Sequence, residues 1–193
     1  MSAAWAKAAV LLATVAMVAI RAPHGQRSRT VKVAKSHRGR LEAALLTLAW
    51  IGFFLPLVWT FSRLLARADY PLHPAAFGAG AILLAAGLWL LYRSHADLGT
   101  NWSVTLEVRE KHQLVSRGVY RTLRHPMYSA FLLYSIGQAL VVPNWIAGPS
   151  YGVAMALLFA FRVGPEERMM LQEFGKDYEA YSKRTKRLVP GVW

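Results

Sequence analysis

An all-α integral membrane fold is what the sequence predicts, and three observations carry the prediction. The 193-residue chain is 55% hydrophobic with a mean hydropathy of +0.27, greasier than an average soluble domain. Its apolar residues gather into five runs, at residues 3–20, 41–65, 75–92, 128–142 and 145–163. Much of the charge behind its net +13 falls between and after those runs. The expected architecture is therefore about five transmembrane helices, the last two a tight helical hairpin, followed by an amphipathic C-terminal helix. We expect a single membrane domain over residues 1–193, with three N-terminal helices in residues 1–92 and a motif-bearing region in residues 93–193.

The first run is interrupted only by Lys7 and continues directly into RAPHGQRSRTVKVAKSHRGR. A signal peptide has a shorter apolar core and a small-residue cleavage site, so a retained helix is the expectation. Residues 21–40 carry seven Lys or Arg and no acid. Placed between two apolar runs, they predict a cytoplasmic loop held against anionic headgroups. No aromatic residue is interleaved with these charges and no nucleic-acid fold motif accompanies them, so nucleic acid is not an expected partner.

The second run has Glu42 at its entrance, Pro56 inside, where a kink is expected, and Arg63 near its exit. A turn-rich connection with Asp69, Pro71 and Pro74 follows, much less basic and expected on the opposite face. Gly78, Gly80 and Gly87 in the third run are expected to allow close helix packing; no GxGxxG pattern or preceding strand supports a nucleotide loop. Residues 93–127 are polar and basic, which returns the chain to the side of the first loop. Only Pro143 and Asn144 separate the fourth and fifth runs, each at or below the ~20 residues that cross a bilayer. An odd number of spans puts the N-terminus outside and the C-terminus, with its basic tail at 168–187, in the cytoplasm. The expected location is thus a multi-pass membrane protein, in the inner membrane if the source is prokaryotic. Trp5, Trp50, Trp59, Trp102 and Trp145 mostly lie near expected span ends, where interfacial anchoring is the default role. In the stretch 164–167 Gly164 can end one helix and Pro165 open another, with Glu166 and Glu167 suiting its first turn. Leu171, Phe174, Tyr178 and Tyr181 then follow at amphipathic spacing, with Gly175 a local weak point.

Polar chemistry concentrates in HQLVSRGVYRTLRHPMY at residues 112–128 and RVGPEE at residues 162–167. The chain has no cysteine, which removes disulfides, thiolate metal sites and a cysteine nucleophile. His112 and His125 belong to no HExxH or comparable ligand pattern, so no metal is expected, and Ser129 and Ser135 lack a GxSxG elbow. His73 and His95 read as structural. Each remaining candidate also has a structural reading. Arg162 at a span end can snorkel to headgroups, and His125 before Pro126 can mark a helix entry. Tyr120 and Tyr128 can be interfacial anchors, Arg124 can pair with an acid or a lipid phosphate, and Glu167 can serve helix-start electrostatics or pair with arginine.

LVSRGVYRTLRHPMY, followed about forty residues later by RVGPEE and then by FGKDYEAY and RLVPG, resembles the isoprenylcysteine carboxyl methyltransferase family of integral membrane enzymes. The wider group includes membrane phospholipid methyltransferases. The resemblance starts at DLGTNWS, residue 97, and runs to the C-terminus; the N-terminal half matches only in hydropathy and topology. It implies S-adenosylmethionine as methyl donor, S-adenosylhomocysteine as product, and a lipophilic acceptor entering from the bilayer. By motif position it implies cofactor contacts from His112, Gln113, Leu114 and Val115 in HxLV, Tyr120 in GVY, and His125, Pro126, Met127 and Tyr128 in HPxY. Glu166 matches the acid that binds the cofactor, and Arg162 matches the arginine assigned to the acceptor and its carboxylate. Thr105 aligns too loosely to join this set.

Methyl transfer suits such an inventory, since in-line displacement rests on alignment and exclusion of water. A carboxylate acceptor is already ionised and needs no base, whereas a protonated amine would be repelled by Arg162. The function expected is carboxyl O-methylation of a lipophilic prenylcysteine-like acceptor. The alternatives are a phospholipid or amine N-methyltransferase on the same scaffold, and a non-catalytic membrane binding or assembly protein. No C-terminal prenylation motif suggests self-modification.

Overall fold

A computed structural model describes residues 2–29, 33–36, 39–99, 107–109 and 113–189. Five long helices run back and forth: α1 (Ala3–Arg29), α2 (Arg40–Phe61), α3 (Pro74–Leu98), α4 (Pro126–Val141) and α5 (Ser150–Phe174). A short α6 (Lys176–Arg184) follows. Two short strands, β1 (Val33–Ser36) and β2 (Glu107–Arg109), pair antiparallel with an irregularity between Val33 and Lys35. Their pairing ties the α1–α2 loop to the α3–α4 loop, so both basic loops lie at one end of the bundle, as their charge predicts.

Among the described residues three helices are long and apolar enough to span a bilayer: Ala3–Gln26, Arg40–Phe61 and Pro74–Leu98. Their outward faces carry large exposed apolar side chains, among them Leu12, Phe54, Phe61, Ile82 and Trp89. Water would not tolerate such a surface, and lipid does. Helix α4 has 16 residues, which at the helical rise is roughly 24 Å, short of the hydrocarbon thickness. It packs chiefly on α3, and α5 packs chiefly on α2.

Glycine sets the α3–α4 approach. A Cβ on Gly80 would stand 2.8 Å from the Gly137 carbonyl oxygen, and one on Gly87 would stand 2.8 Å from the Tyr134 nitrogen. Gly78, expected to join them, meets nothing within 4 Å and has no part in this contact. At the far end of the bundle, the two turns knot together. Trp59 Nε1 donates to Asp69 Oδ1 at 2.7 Å, Asn144 Nδ2 donates to the same oxygen at 2.7 Å, and Tyr70 N donates to the Pro143 carbonyl at 3.0 Å. Trp59 is thus a buried structural residue and not the interfacial anchor expected of it. Asn144 also accepts from the backbone of Ile146 and Ala147, which winds residues 142–149 into a turn longer than the Pro143-Asn144 break suggests.

Two boundaries differ from expectation. Helix α5 does not stop at Gly164; it continues unbroken through Pro165 to Phe174. Its true end is Gly175, whose φ of 53° reverses the chain and starts α6. The expected amphipathic stripe is therefore divided, with Leu171 on α5 exposed and Tyr178 and Tyr181 on α6 buried. Helix α1 likewise outruns its apolar stretch and carries Arg21 and His24 within it.

Candidate functional site

At the loop end of the bundle, residues 113–125 run over the tops of α3 and α5 and are pinned from two sides. Gly118 at φ 58° sits so close to Asp97 that a Cβ would stand 2.0 Å from the Asp97 carboxylate, which accepts from Val119 N at 2.9 Å. Only glycine fits there, since both the space and the left-handed backbone exclude a side chain. From the opposite side, Tyr181 on α6 donates its hydroxyl to the Tyr120 carbonyl at 2.7 Å. The residues just beyond α6 lie along the same loop: Arg124 N donates to Lys186 O at 2.7 Å and His125 N to Arg187 O at 3.0 Å.

Glu167 joins these pieces. Arg124 Nε donates to its Oε1 at 2.8 Å, Arg187 Nη2 donates to its Oε2 at 2.8 Å, and His125 Nε2 lies 3.4 Å from Oε1. Burial alone would push this carboxyl up, yet contacts from His125, Arg187 and Arg124 outweigh it and hold the group well below the usual carboxylate range. Glu167 therefore clamps the C-terminal strap to the loop, in line with the arginine-pairing role expected for it.

Glu166, one position earlier, points elsewhere. It accepts from the Tyr128 hydroxyl, with His125 Nδ1 at 3.8 Å and Arg162 Nε at 3.8 Å. The His125 and Tyr128 rings stack at 5.3 Å. Pro126 at the first position of α4 aligns His125 and Tyr128 on this side without a missing hydrogen bond. Arg162, one turn before Glu166, is buried and reaches Glu42 on α2 at 3.5 Å.

These groups border one cavity. Its polar wall contains Gln113, Leu114, Val115, Tyr120, His125, Met127, Tyr128 and Glu166, with Arg162 beside them. The other wall is apolar and deeper between the helices, built from Met17, Phe53, Phe131, Tyr151, Met155 and Leu158. Nine of the residues singled out from the sequence thus converge on one space. Pro126 is fully buried behind the lining, and His112 lies outside the described residues, as do Thr105 and Trp102. Burial pushes the Tyr120 phenol well above its ordinary range, with Glu166, Tyr181 and Asp97 adding to the shift. It remains a protonated hydrogen-bond donor at neutral pH.

Three contributors were not singled out as site residues. Glu42 reads in sequence as a span entrance; an acid in the first turn of an apolar helix is costly in lipid, and that cost is the available signal. Arg21 reads in sequence as part of a basic run and Trp50 as an interfacial residue, yet both line the cavity. Among the described residues no group of three or more His, Cys, Asp or Glu could hold a metal ion.

Comparison with known proteins bears on this site. Residues 80–172 match the family model of the isoprenylcysteine carboxyl methyltransferase family. Protein-S-isoprenylcysteine O-methyltransferase B of Arabidopsis thaliana is 36% identical over 115 residues, covering 58% of this chain and 58% of that protein. The Dictyostelium discoideum protein-S-isoprenylcysteine O-methyltransferase is 30% identical over 146 residues, 74% of this chain and 56% of the relative. The Homo sapiens one is 32% identical over 115 residues, 58% of this chain and 40% of the relative. The solved structure of a eukaryotic intramembrane Ras methyltransferase, isoprenylcysteine carboxyl methyltransferase, superposes with a TM-score of 0.54 at 26% identity, over 82% of this chain and 55% of that one. The chain spans about half the length of the curated relatives it matches.

Proposed function

Because the chain belongs to the isoprenylcysteine carboxyl methyltransferase family across residues 80–172, we propose that it is an S-adenosylmethionine-dependent methyltransferase of the membrane. Its acceptor is the carboxylate of a lipophilic, prenylcysteine-like molecule entering from the bilayer. The observation that carries this reading is the division of the cavity: an acid and a polar loop at the aqueous end, and an aromatic and aliphatic channel between the helices, with Arg162 at the junction.

The polar wall fits the cofactor. Glu166, anchored by Tyr128, offers negative charge and acceptor atoms to a cationic molecule with hydroxyl and amino groups. Gln113, Leu114, Val115, Tyr120, His125 and Met127 surround the same space with mixed polar and apolar contacts, and Pro126 sets the turn between them. Held by Glu166 and the 113–128 wall, S-adenosylmethionine would supply an electrophilic methyl group for the acceptor oxygen, with the demethylated sulfur compound as leaving group. The chain's own task is to hold the acceptor and keep water away. Arg162 has a planar fork suited to a carboxylate, and Glu42 and Glu166 fix its position at 3.5 and 3.8 Å. No proton has to be removed from an ionised carboxylate, which agrees with a wall whose Tyr120 stays protonated. We place the cofactor side and C-terminus in the cytoplasm, with the N-terminus outside.

Purified protein should bind S-adenosylhomocysteine by calorimetry and transfer labelled methyl from S-adenosylmethionine to N-acetyl-S-farnesylcysteine. Binding without transfer to any carboxylated lipid in a membrane-extract screen would remove the acceptor assignment, and the absence of binding would remove the enzyme.

A further inference from the structure

Helix α1 contributes nothing to the family match, yet it delivers a charge to the cavity. Its buried stripe runs Ala6, Val10, Ala13, Met17, at helical spacings of three and four. Continuing by four from Met17 gives Arg21, which lies on the same inward face and lines the cavity with Met17. The Arg21 guanidinium stands 5.2 Å from the centre of the Phe131 ring on α4. It reaches across the bundle instead of toward lipid or headgroups, so snorkelling does not account for it. It is also near enough to Arg162 for their charges to repel, with Tyr151 beside it.

Two like charges directed into one mostly apolar cavity are costly to keep. An arginine inside a helical bundle commonly marks the path of a charged ligand. Arg162 is already flanked by Glu42 and Glu166, which fix it in place. Arg21 approaches from the apolar side, its guanidinium over the face of the Phe131 ring.

We propose that Arg21 is a second acceptor-binding arginine, which with Arg162 brackets the anionic head of the lipophilic acceptor and sets the preference for carboxylate over uncharged or cationic heads. This deepens the proposed function and rests on its placing the acceptor in this cavity. An anion between the two guanidiniums turns their mutual repulsion into shared attraction, while an ammonium head would meet two positive charges.

The test is read by equilibrium binding, so that it stays separate from turnover. In the presence of S-adenosylhomocysteine, the affinities of N-acetyl-S-farnesylcysteine and of its carboxamide are measured on wild type, Arg21→Gln and Arg21→Lys. Wild type should prefer the carboxylate, and Arg21→Gln should reduce that preference about tenfold, the size expected for loss of one charge-assisted contact. Arg21→Lys should recover part of it, and S-adenosylhomocysteine affinity should be unchanged in both. In turnover the loss should fall on KM rather than kcat. An unaltered carboxylate preference in Arg21→Gln, equal weakening of both probes, or no preference in wild type would overturn the assignment. Should Arg21→Gln fail to fold, the decision passes to Arg21→Lys, in which a wild-type preference with normal KM does the same. Failure of methyl transfer in a wild type that still discriminates the two probes would count against the proposed function and leave Arg21 standing.

Discussion

Glu166 and Glu167 are adjacent carboxylates with divergent tasks, and their partners decide which is which. Glu167 is bound by Arg124 and Arg187 and holds the structure together; Glu166 accepts from Tyr128 and faces the cavity. Replacing Glu166→Gln should weaken S-adenosylhomocysteine binding by about tenfold or more, and calorimetry returning wild-type affinity from a folded variant would take Glu166 out of the cofactor site. Arg162→Lys should leave that affinity intact while lowering turnover roughly ten- to a hundredfold, because a point charge cannot reproduce the two-pronged hold on a carboxylate. Steady-state kinetics with unchanged kcat and KM would contradict the clamp. For Glu167 the prediction concerns pH. Its carboxyl is depressed in the folded state, so its stabilisation is complete above the unfolded value near 4.5 and is lost as pH falls below it. The thermal stability gap between wild type and Glu167→Gln should therefore shrink on moving from neutral pH to about pH 4, and a gap that held constant would mean that the clamp contributes no linkage.

The elements that shape the site are those whose ends the sequence marked least clearly. Gly164-Pro165 reads as a helix boundary, yet α5 continues through it. Proline removes only one backbone donor, and continuing the helix keeps Arg162 and Glu166 on one face a turn apart. The real stop is Gly175, where a positive φ lets α6 fold back and bring Tyr181 onto the Tyr120 carbonyl. Such a return is a tertiary contact, invisible to periodicity. By contrast, the α3–α4 interface was legible from composition, since Gly80 and Gly87 are small residues in an apolar helix. Gly78 shows the limit of that reasoning: small size permits a close approach without requiring one. Gly87→Leu should destabilise the bundle by about 1–3 kcal/mol through overpacking against the Tyr134 backbone, with Gly78→Leu as the near-neutral control in the same melting experiment. Equal melting of the two variants would refute the packing assignment.

At the scale of the molecule, hydropathy and charge predicted the helical membrane architecture and the common side of the two basic loops, because lipid imposes that pattern on every span. The convergence of residues 113–128 with Arg162 and Glu166 came from motif resemblance, and the fold puts nine of those positions around one space. What sequence reasoning assigned elsewhere is the N-terminal contribution: Arg21 and Glu42 lie outside the motifs and outside the 80–172 family match, and a single charge at a span end reads as topology until its direction is known. The natural absence of cysteine makes sidedness directly measurable. Gly39→Cys and Ser116→Cys should be labelled by an impermeant thiol reagent from one face of sealed vesicles and Arg67→Cys from the other; labelling of all three from one face would break the alternating arrangement. The central claim is that the divided cavity transfers a methyl group to a lipid-borne carboxylate. Purified protein supplied with methyl-labelled S-adenosylmethionine and N-acetyl-S-farnesylcysteine should give a lipid-soluble product that releases labelled methanol in alkali. Label that enters only amine-bearing lipids and survives alkali would contradict it.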